Sequence, residues 1–236
     1  MLGYFVADGK ASTDFGVFLT DGGVYGIAEK DVEVVSVNGR NGDLIIDKGR
    51  FKNKKFKYPA FIIENFDENF SALANYLVSR KGYFKLQDSF HPEYYVEARY
   101  AGGTDPKKVI DNGTKGKFQL EFDRKPQKFL TEGDYPLEVT SNTTLLSEYD
   151  MTAKPIIRAY GTGSFSIGGK SIEITSADDY TDIDCDMQEA YKDTLSNDKN
   201  GNIVVSTDFP TLSQGENEIT LNGITKLEIK PRWWML

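Results

Sequence analysis

The chain of 236 residues has one cysteine, Cys185, and one histidine, His91, and each scarcity removes a class of chemistry. A single thiol forms no internal disulfide, so packing and backbone pairing must hold the fold, which suits a reducing cytoplasm. One of each also falls short of the four Cys or His groups of an ordinary structural zinc site. His91 precedes Pro92 in a polar stretch with no second histidine to relay a proton. Cys185 has apolar neighbours on its own strand face, where a small buried residue is expected rather than an activated thiolate. Long apolar runs are lacking: none approaches the ~20 residues of a spanning helix. Residues 1–10 have no basic region followed by an apolar stretch, so neither membrane insertion nor secretion is expected. Net positive charge is missing too, and at −8 overall the chain has little general attraction to a phosphate backbone. Gly161-Thr162-Gly163 has no third glycine and no following helix, and no cofactor is expected.

What is present points to strands. Thirteen Tyr, fifteen Phe and 22 Gly, the glycines punctuating short apolar runs, predict a mainly β chain. Val32, Val34, Val35 and Val37 lead into Asn38-Gly39-Arg40-Asn41-Gly42, and Leu44-Ile45-Ile46 follows. Asn41-Gly42 accepts positive φ at both positions, which predicts a hairpin. Residues 50–63 offer Phe51, Phe56, Tyr58, Phe61 and Ile63 to a core, with Pro59 marking an edge or a bulge. One helix is expected over 66–81, where Phe70, Leu73, Ala74, Leu77 and Val78 form an apolar stripe. Asn65 and Glu68 fit a capping box and Gly82 a left-handed terminator. Strands resume at 83–86, 94–100 and 118–122, and a first domain closes near Pro136.

The second region, 137–224, reads as short strands at regular spacing, with Gly168-Gly169 turning one hairpin, and predicts a sandwich. It carries 5 Lys and Arg against 15 Asp and Glu, a net of −10, while the rest of the chain has 23 against 21. Asp182, Asp184 and Asp186 alternate along one strand face, read as solvated and protective against edge pairing, with calcium binding as the functional alternative. The 196–207 loop has Ser196 and Thr207 where calcium-binding carboxylates belong, so it fails as a calcium loop. Asn69, Asn112 and Asn142 each begin a glycosylation sequon, without a secretion signal to accompany it. Arg50, Lys52, Lys54, Lys55 and Lys57 form a basic row, either a lysine-protected edge or a docking surface for an acidic partner. Leu227 and Ile229 define a last strand, followed by Pro231-Arg232-Trp233-Trp234, which holds both tryptophans. Two adjacent indoles require burial, so Arg232, Trp233 and Trp234 are candidates for docking the chain terminus.

Taken in order, Phe15-Gly16-Val17, the 37–42 turn, the 66–81 helix, Ala153-Lys154-Pro155-Ile156 and the closing Pro231-Arg232-Trp233-Trp234 give the chain a resemblance over its whole length. It resembles the distal tail proteins of long non-contractile-tailed (siphovirus) bacteriophages. The resemblance implies two β-sandwich domains and no enzyme activity. The first is a belt-type domain with one α-helix, residues 1–136 plus a returning strand at 225–236. The second is galectin-like, residues 137–224. It implies a homo-hexameric ring, made in the bacterial cytoplasm and placed in the virion at the tail tip. Its partners would be the tail-tube protein, the tail-associated hub or lysin protein and receptor-binding components, with DNA passing through unread. In this family the last strand returns to the belt domain, which would bury Trp233 and Trp234 there. The Gly39-Arg40-Asn41-Gly42 turn matches the family's Gly-Arg-Asp-Gly hairpin except that Asn41 replaces the acid.

Two other functions compete. A carbohydrate-binding module for host surface glycans would need a strand cluster of His, Asn, Arg and Trp, and residues 137–224 contain neither His nor Trp. A glycosidase would need two paired carboxylates, which 36 scattered acids neither supply nor exclude.

Overall fold

The computed structural model describes residues 2–23, 26–103, 107–110 and 114–236. They form a mainly β chain with a single α-helix, in two compact units, residues 1–128 with Leu236 and residues 129–235.

In the first unit the strands are β1 (Phe5–Ala7), β2 (Lys10–Ala11), β3 (Val17–Leu19), β4 (Lys30–Val35), β5 (Leu44–Phe51), β6 (Lys54–Ile62), β7 (Phe84–Asp88), β8 (Tyr94–Gly103), β9 (Lys107–Ile110) and β10 (Lys115–Leu130); helix α1 spans Phe66–Ser79. The main sheet runs β2-β1-β7-β8-β10-β6-β3, with β9 and the terminal strand β22 (Trp234–Met235) also on β10. It curls, because Gly3 just ahead of β1 bridges Leu19 of β3, whose N–H donates to the Gly3 carbonyl at 2.8 Å. Phe5, Phe56, Tyr58 and Phe122 fill its interior with stacked and edge-on rings 5.0–5.9 Å apart. Such aromatic pairs add to the burial of their area.

Several expectations here change. β6 keeps a regular register with β10 through Pro59, so the buried side chains are Phe56, Tyr58, Ala60 and Ile62, while Ile63 is exposed. Pro59 makes no bulge, and it sits where β6 becomes a local edge of the sheet. Its carbonyl accepts from Thr20 just past the end of β3, so its missing N–H faces the side where that pairing has stopped. In α1, Phe66, Leu73, Tyr76 and Leu77 face inward and Val78 is exposed. Tyr76 takes the inward place because its ring packs on Phe15 and its hydroxyl donates to the Ala7 carbonyl at 2.7 Å. The capping box does not form: Asn65 is left-handed at φ 50° and makes no side-chain cap bond. Gly82 is left-handed, two residues past the extended C-cap Arg80.

The second unit holds β11 (Leu137–Val139), β12 (Thr143–Ser147), β13 (Ile156–Tyr160), β14 (Gly163–Ile167), β15 (Lys170–Ile174), β16 (Tyr180–Asp184), β17 (Glu189–Lys192), β18 (Thr194–Asp198), β19 (Ile203–Val205), β20 (Gly215–Asn222), β21 (Lys226–Lys230) and β22 (Trp234–Met235). Two sheets, β11-β21-β13-β16-β17-β18 and β12-β20-β14-β15-β19, enclose a core that includes Ile157, Phe165, Ile172, Ile183, Ile219, Leu227 and Ile229. Residues 129–235 cluster as this unit. β21 is an inner strand of this sandwich. It is paired on both sides, by β11 and β13, and its Leu227 and Ile229 are fully buried in this sandwich.

Candidate functional site

The first candidate is the arm formed by β4 and β5, which among the described residues pair only with each other. Its foot is fastened. Arg50 donates to the buried Asp31 at 2.7 Å, and this holds the Asp31 carboxyl below its usual range. Asp47 accepts the Gly49 N–H at 2.8 Å and Lys30 at 3.2 Å, and these bonds lower its pKa in that order. Gly49, at φ 70°, supplies the left-handed residue beside the register shift between Lys30 and Val32. Beyond the foot, Val34 lies opposite Ile45 and Val35 opposite Leu44, so both faces are apolar. These four, with Val37 and Ile46, are 36–65% exposed. Gly39, Arg40, Asn41 and Gly42 form the exposed tip, where Arg40 N–H donates to the Val37 carbonyl at 3.2 Å and both glycines have positive φ. A two-stranded ribbon is marginal in water by itself, and one apolar on both faces has surface to bury.

The expected basic row does not lie along one strand. It breaks at Lys52-Asn53, between β5 and β6. Arg50 serves the arm's foot, while Lys55 and Lys57 meet Glu121 across the β6–β10 pair at 3.0 and 3.5 Å. Those contacts, Lys55 first, hold the Glu121 carboxyl below its usual range. Lys52 and Lys54 have no carboxylate partner among the described residues.

The terminal segment sits in the second unit. Trp233 is buried in that core with its ring 5.4 Å from Tyr149, and its carbonyl accepts from Leu130 N–H at 2.8 Å. Trp234 is partly buried and donates its indole N–H to the Thr152 carbonyl at 3.0 Å. Arg232, at φ 56°, donates its backbone N–H to Gly133, lays its guanidinium over Phe129 and reaches Asp184 at 3.4 Å and Asp186 at 3.9 Å. Tyr149 donates to Glu132, which raises the phenol to about 12. A Cβ on Gly133 would stand 2.6 Å from the Trp233 nitrogen. Gly133→Ala is therefore expected to destabilise the second unit by about 1–3 kcal/mol, the usual cost of overpacking, read from chemical denaturation.

Of the acidic row only Asp186 is exposed as expected. Asp182 and Asp184 are buried and paired, Asp182 with Arg158 through two bonds of 2.7 and 3.0 Å. Asp184 also caps the following turn by accepting from Asp186 and Met187. Among the described residues no group of three or more His, Cys, Asp or Glu is arranged to hold a metal.

A shallow cavity of about 440 Å³ opens on the outer face of the first of the two sandwich sheets, lined by Arg158, Asp182, Tyr191, Asp193, Glu228 and Lys230 among others. Its charged groups largely satisfy one another: Glu228 accepts from Lys226 at 2.7 Å and from Tyr160 at 3.1 Å, and Lys226 chiefly holds its carboxyl low. No His, Cys or Trp lines it. His91 lies 3.0 Å from Asp88, whose carboxylate also accepts from Tyr58 and from the Phe90 and His91 amides, a turn-holding arrangement. Burial raises the Cys185 thiol far above its ordinary range. Of the sequon asparagines, Asn69 and Asn142 are tied to backbone groups and Asn112 lies outside the described residues. No helix among the described residues is long and apolar enough to cross a membrane.

The arm residues Val34, Val35, Leu44, Ile45 and Ile46 are what a reading of the sequence as ordinary domain strands passes over. Their signal is the absence of alternation: contiguous apolar residues in short strands mean that both faces are covered by something.

No protein-family model matches the chain, and no curated protein does. Among solved structures, the chain is similar to the Dit protein (gp 19.1) of SPP1, described as a paradigm of the hub adsorption apparatus in phages that infect Gram-positive bacteria. The TM-score is 0.72 with 16% identity, over 97% of this chain and 98% of that one. The two share a fold from end to end.

Proposed function

We propose that this chain is a distal tail protein, the structural hub of a phage tail tip. Six copies close into a ring that joins the tail tube to the tail-associated hub or lysin protein, carries receptor-binding components on its rim, and lets DNA pass through its lumen unread. The chain acts by assembly, not catalysis, and its place is the tail end of the virion.

The observation that carries this reading is the arm, apolar on both faces and uncovered by the described residues of its own unit, on a chain that shares its fold end to end with a phage hub protein. The occupant we assign to the arm is a second copy. A closed ring of identical subunits needs two different patches, one offered and one received, repeated by rotation. Charge supports the same division of labour. The first unit has 20 Lys and Arg against 18 Asp and Glu, and the second 8 against 18. The near-neutral unit can pack on its copies with little repulsion, whereas the acidic one stays soluble and apart.

Mass in solution tests the ring. Six chains of 26.5 kDa give about 159 kDa by light scattering, and a closed ring keeps that mass on dilution. A single-chain mass at every concentration would overturn the ring reading, and an open-ended series of sizes would overturn its closure.

A further inference from the structure

The arm's tip contains two Asn-Gly steps, Asn38-Gly39 and Asn41-Gly42. Asparagine before glycine is open to attack on itself, because glycine has no side chain to block its backbone nitrogen and can adopt the angles the approach needs. Two more such steps, Asn200-Gly201 and Asn222-Gly223, provide an internal comparison, and a fifth, Asn112-Gly113, lies outside the described residues.

The four differ in how they are held. The Asn200 side chain is engaged at both ends, its oxygen accepting from Ala190 N–H at 2.7 Å and its nitrogen donating to Glu189 at 3.3 Å. Gly223 is pressed against neighbouring backbone: a Cβ there would stand 2.9 Å from the Thr162 oxygen and 3.2 Å from Gly163, and the residue bridges Ser164. At the arm's tip a Cβ on Gly39 or Gly42 would meet nothing within 4 Å, as at Gly201, so Asn200 differs from the tip by its engaged side chain and Asn222 by its crowded glycine. The Arg40 to Val37 hydrogen bond closes a turn around Asn38-Gly39, whereas Asn41-Gly42 lies outside it. Among the described residues the Asn41 side chain and the Gly42 N–H have no hydrogen-bond partner.

From this contrast we infer that Asn41 is a site of spontaneous deamidation, with Asn38 slower and Asn200 and Asn222 protected by the fold. The Gly42 nitrogen gives its proton to solvent base and bonds to the Asn41 Cγ. The bond from Cγ to Nδ2 breaks, ammonia leaves, and a five-membered succinimide closes. Water then opens the ring at one carbonyl or the other, giving aspartate or isoaspartate. In sum, one amide and one water become one carboxylate and one ammonium, with no change in oxidation state. Each event adds a negative charge beside Arg40, and the isoaspartate branch also inserts a methylene into the main chain of the turn. The inference rests on the geometry of the tip and on its staying open to solvent where a second copy covers the strands of the arm.

The test holds the full-length protein at mildly alkaline pH and physiological temperature for days, with peptide mass spectrometry and isoaspartate detection at intervals. The Asn41 peptide should convert at least about tenfold faster than those of Asn200 and Asn222, as a mixture of aspartate and isoaspartate. Asn41→Gln should melt like the parent chain and lose the fastest component. In denaturant the advantage of Asn41 should vanish. An unchanged Asn41 peptide, equal rates at the three sites in the folded chain, or the same ratio in denaturant would each overturn the assignment.

Discussion

Val34→Asp combined with Ile45→Lys is expected to reduce the proposed ring to single chains while leaving the stability of the chain within about 0.5 kcal/mol of the parent. The two positions face each other across the arm, so an opposite-charge pair keeps the hairpin together while making that face polar. Both side chains are more than half exposed within the chain, and the fold has little to lose from them. A ring joint that covers them loses about 1.5–3 kcal/mol for each, about 3–6 kcal/mol per contact. That weakens each association by about two to four orders of magnitude. Light scattering at micromolar concentration reads the change directly. If the substituted protein keeps the mass of six chains, the arm is not the joint, although the ring itself would stand.

How much of this the sequence discloses depends on the range of the contact involved. The helix, the hairpin glycines at 168–169 and the inward pair Leu227 and Ile229 follow from local periodicity and turn chemistry, and the structure has them. The side of a strand that faces the core is less secure where two apolar phases compete. In residues 56–63 the choice of Ala60 and Ile62 over Phe61 and Ile63 is made by an uninterrupted register with β10, a partner about sixty residues away. The acidic row shows the same limit. Asp182 and Asp184 look solvated by spacing, but their cations, Arg158 and Arg232, arrive 24 and 48 residues away in sequence. The expected cap at Asn65 fails for a local reason, a left-handed backbone that turns its side chain away from the helix amides. The need for tryptophan burial was legible, but the choice of core was not, since composition prices an indole's exposure without naming its pocket.

That choice of core yields the second large effect. Trp233→Ala should destabilise the second unit by about 3–5 kcal/mol, the range for truncating a buried large aromatic. The site has little room to collapse, because Gly133 already meets the Trp233 backbone and Arg232 is pinned to Asp184 and Asp186 just before it. Trp234→Ala should cost less, about 1–3 kcal/mol, since that ring is only partly buried and its loss leaves the Thr152 carbonyl without its donor. Calorimetry of the full chain separates the outcomes if the two units melt apart: the transition of the acidic sandwich should fall while that of the helix-bearing unit stays in place. Were the helix-bearing unit to lose stability instead, the terminal indoles would belong to its core, as the likeness to the tail-protein family first implied, and the grouping of residues 225–235 with the sandwich would be wrong.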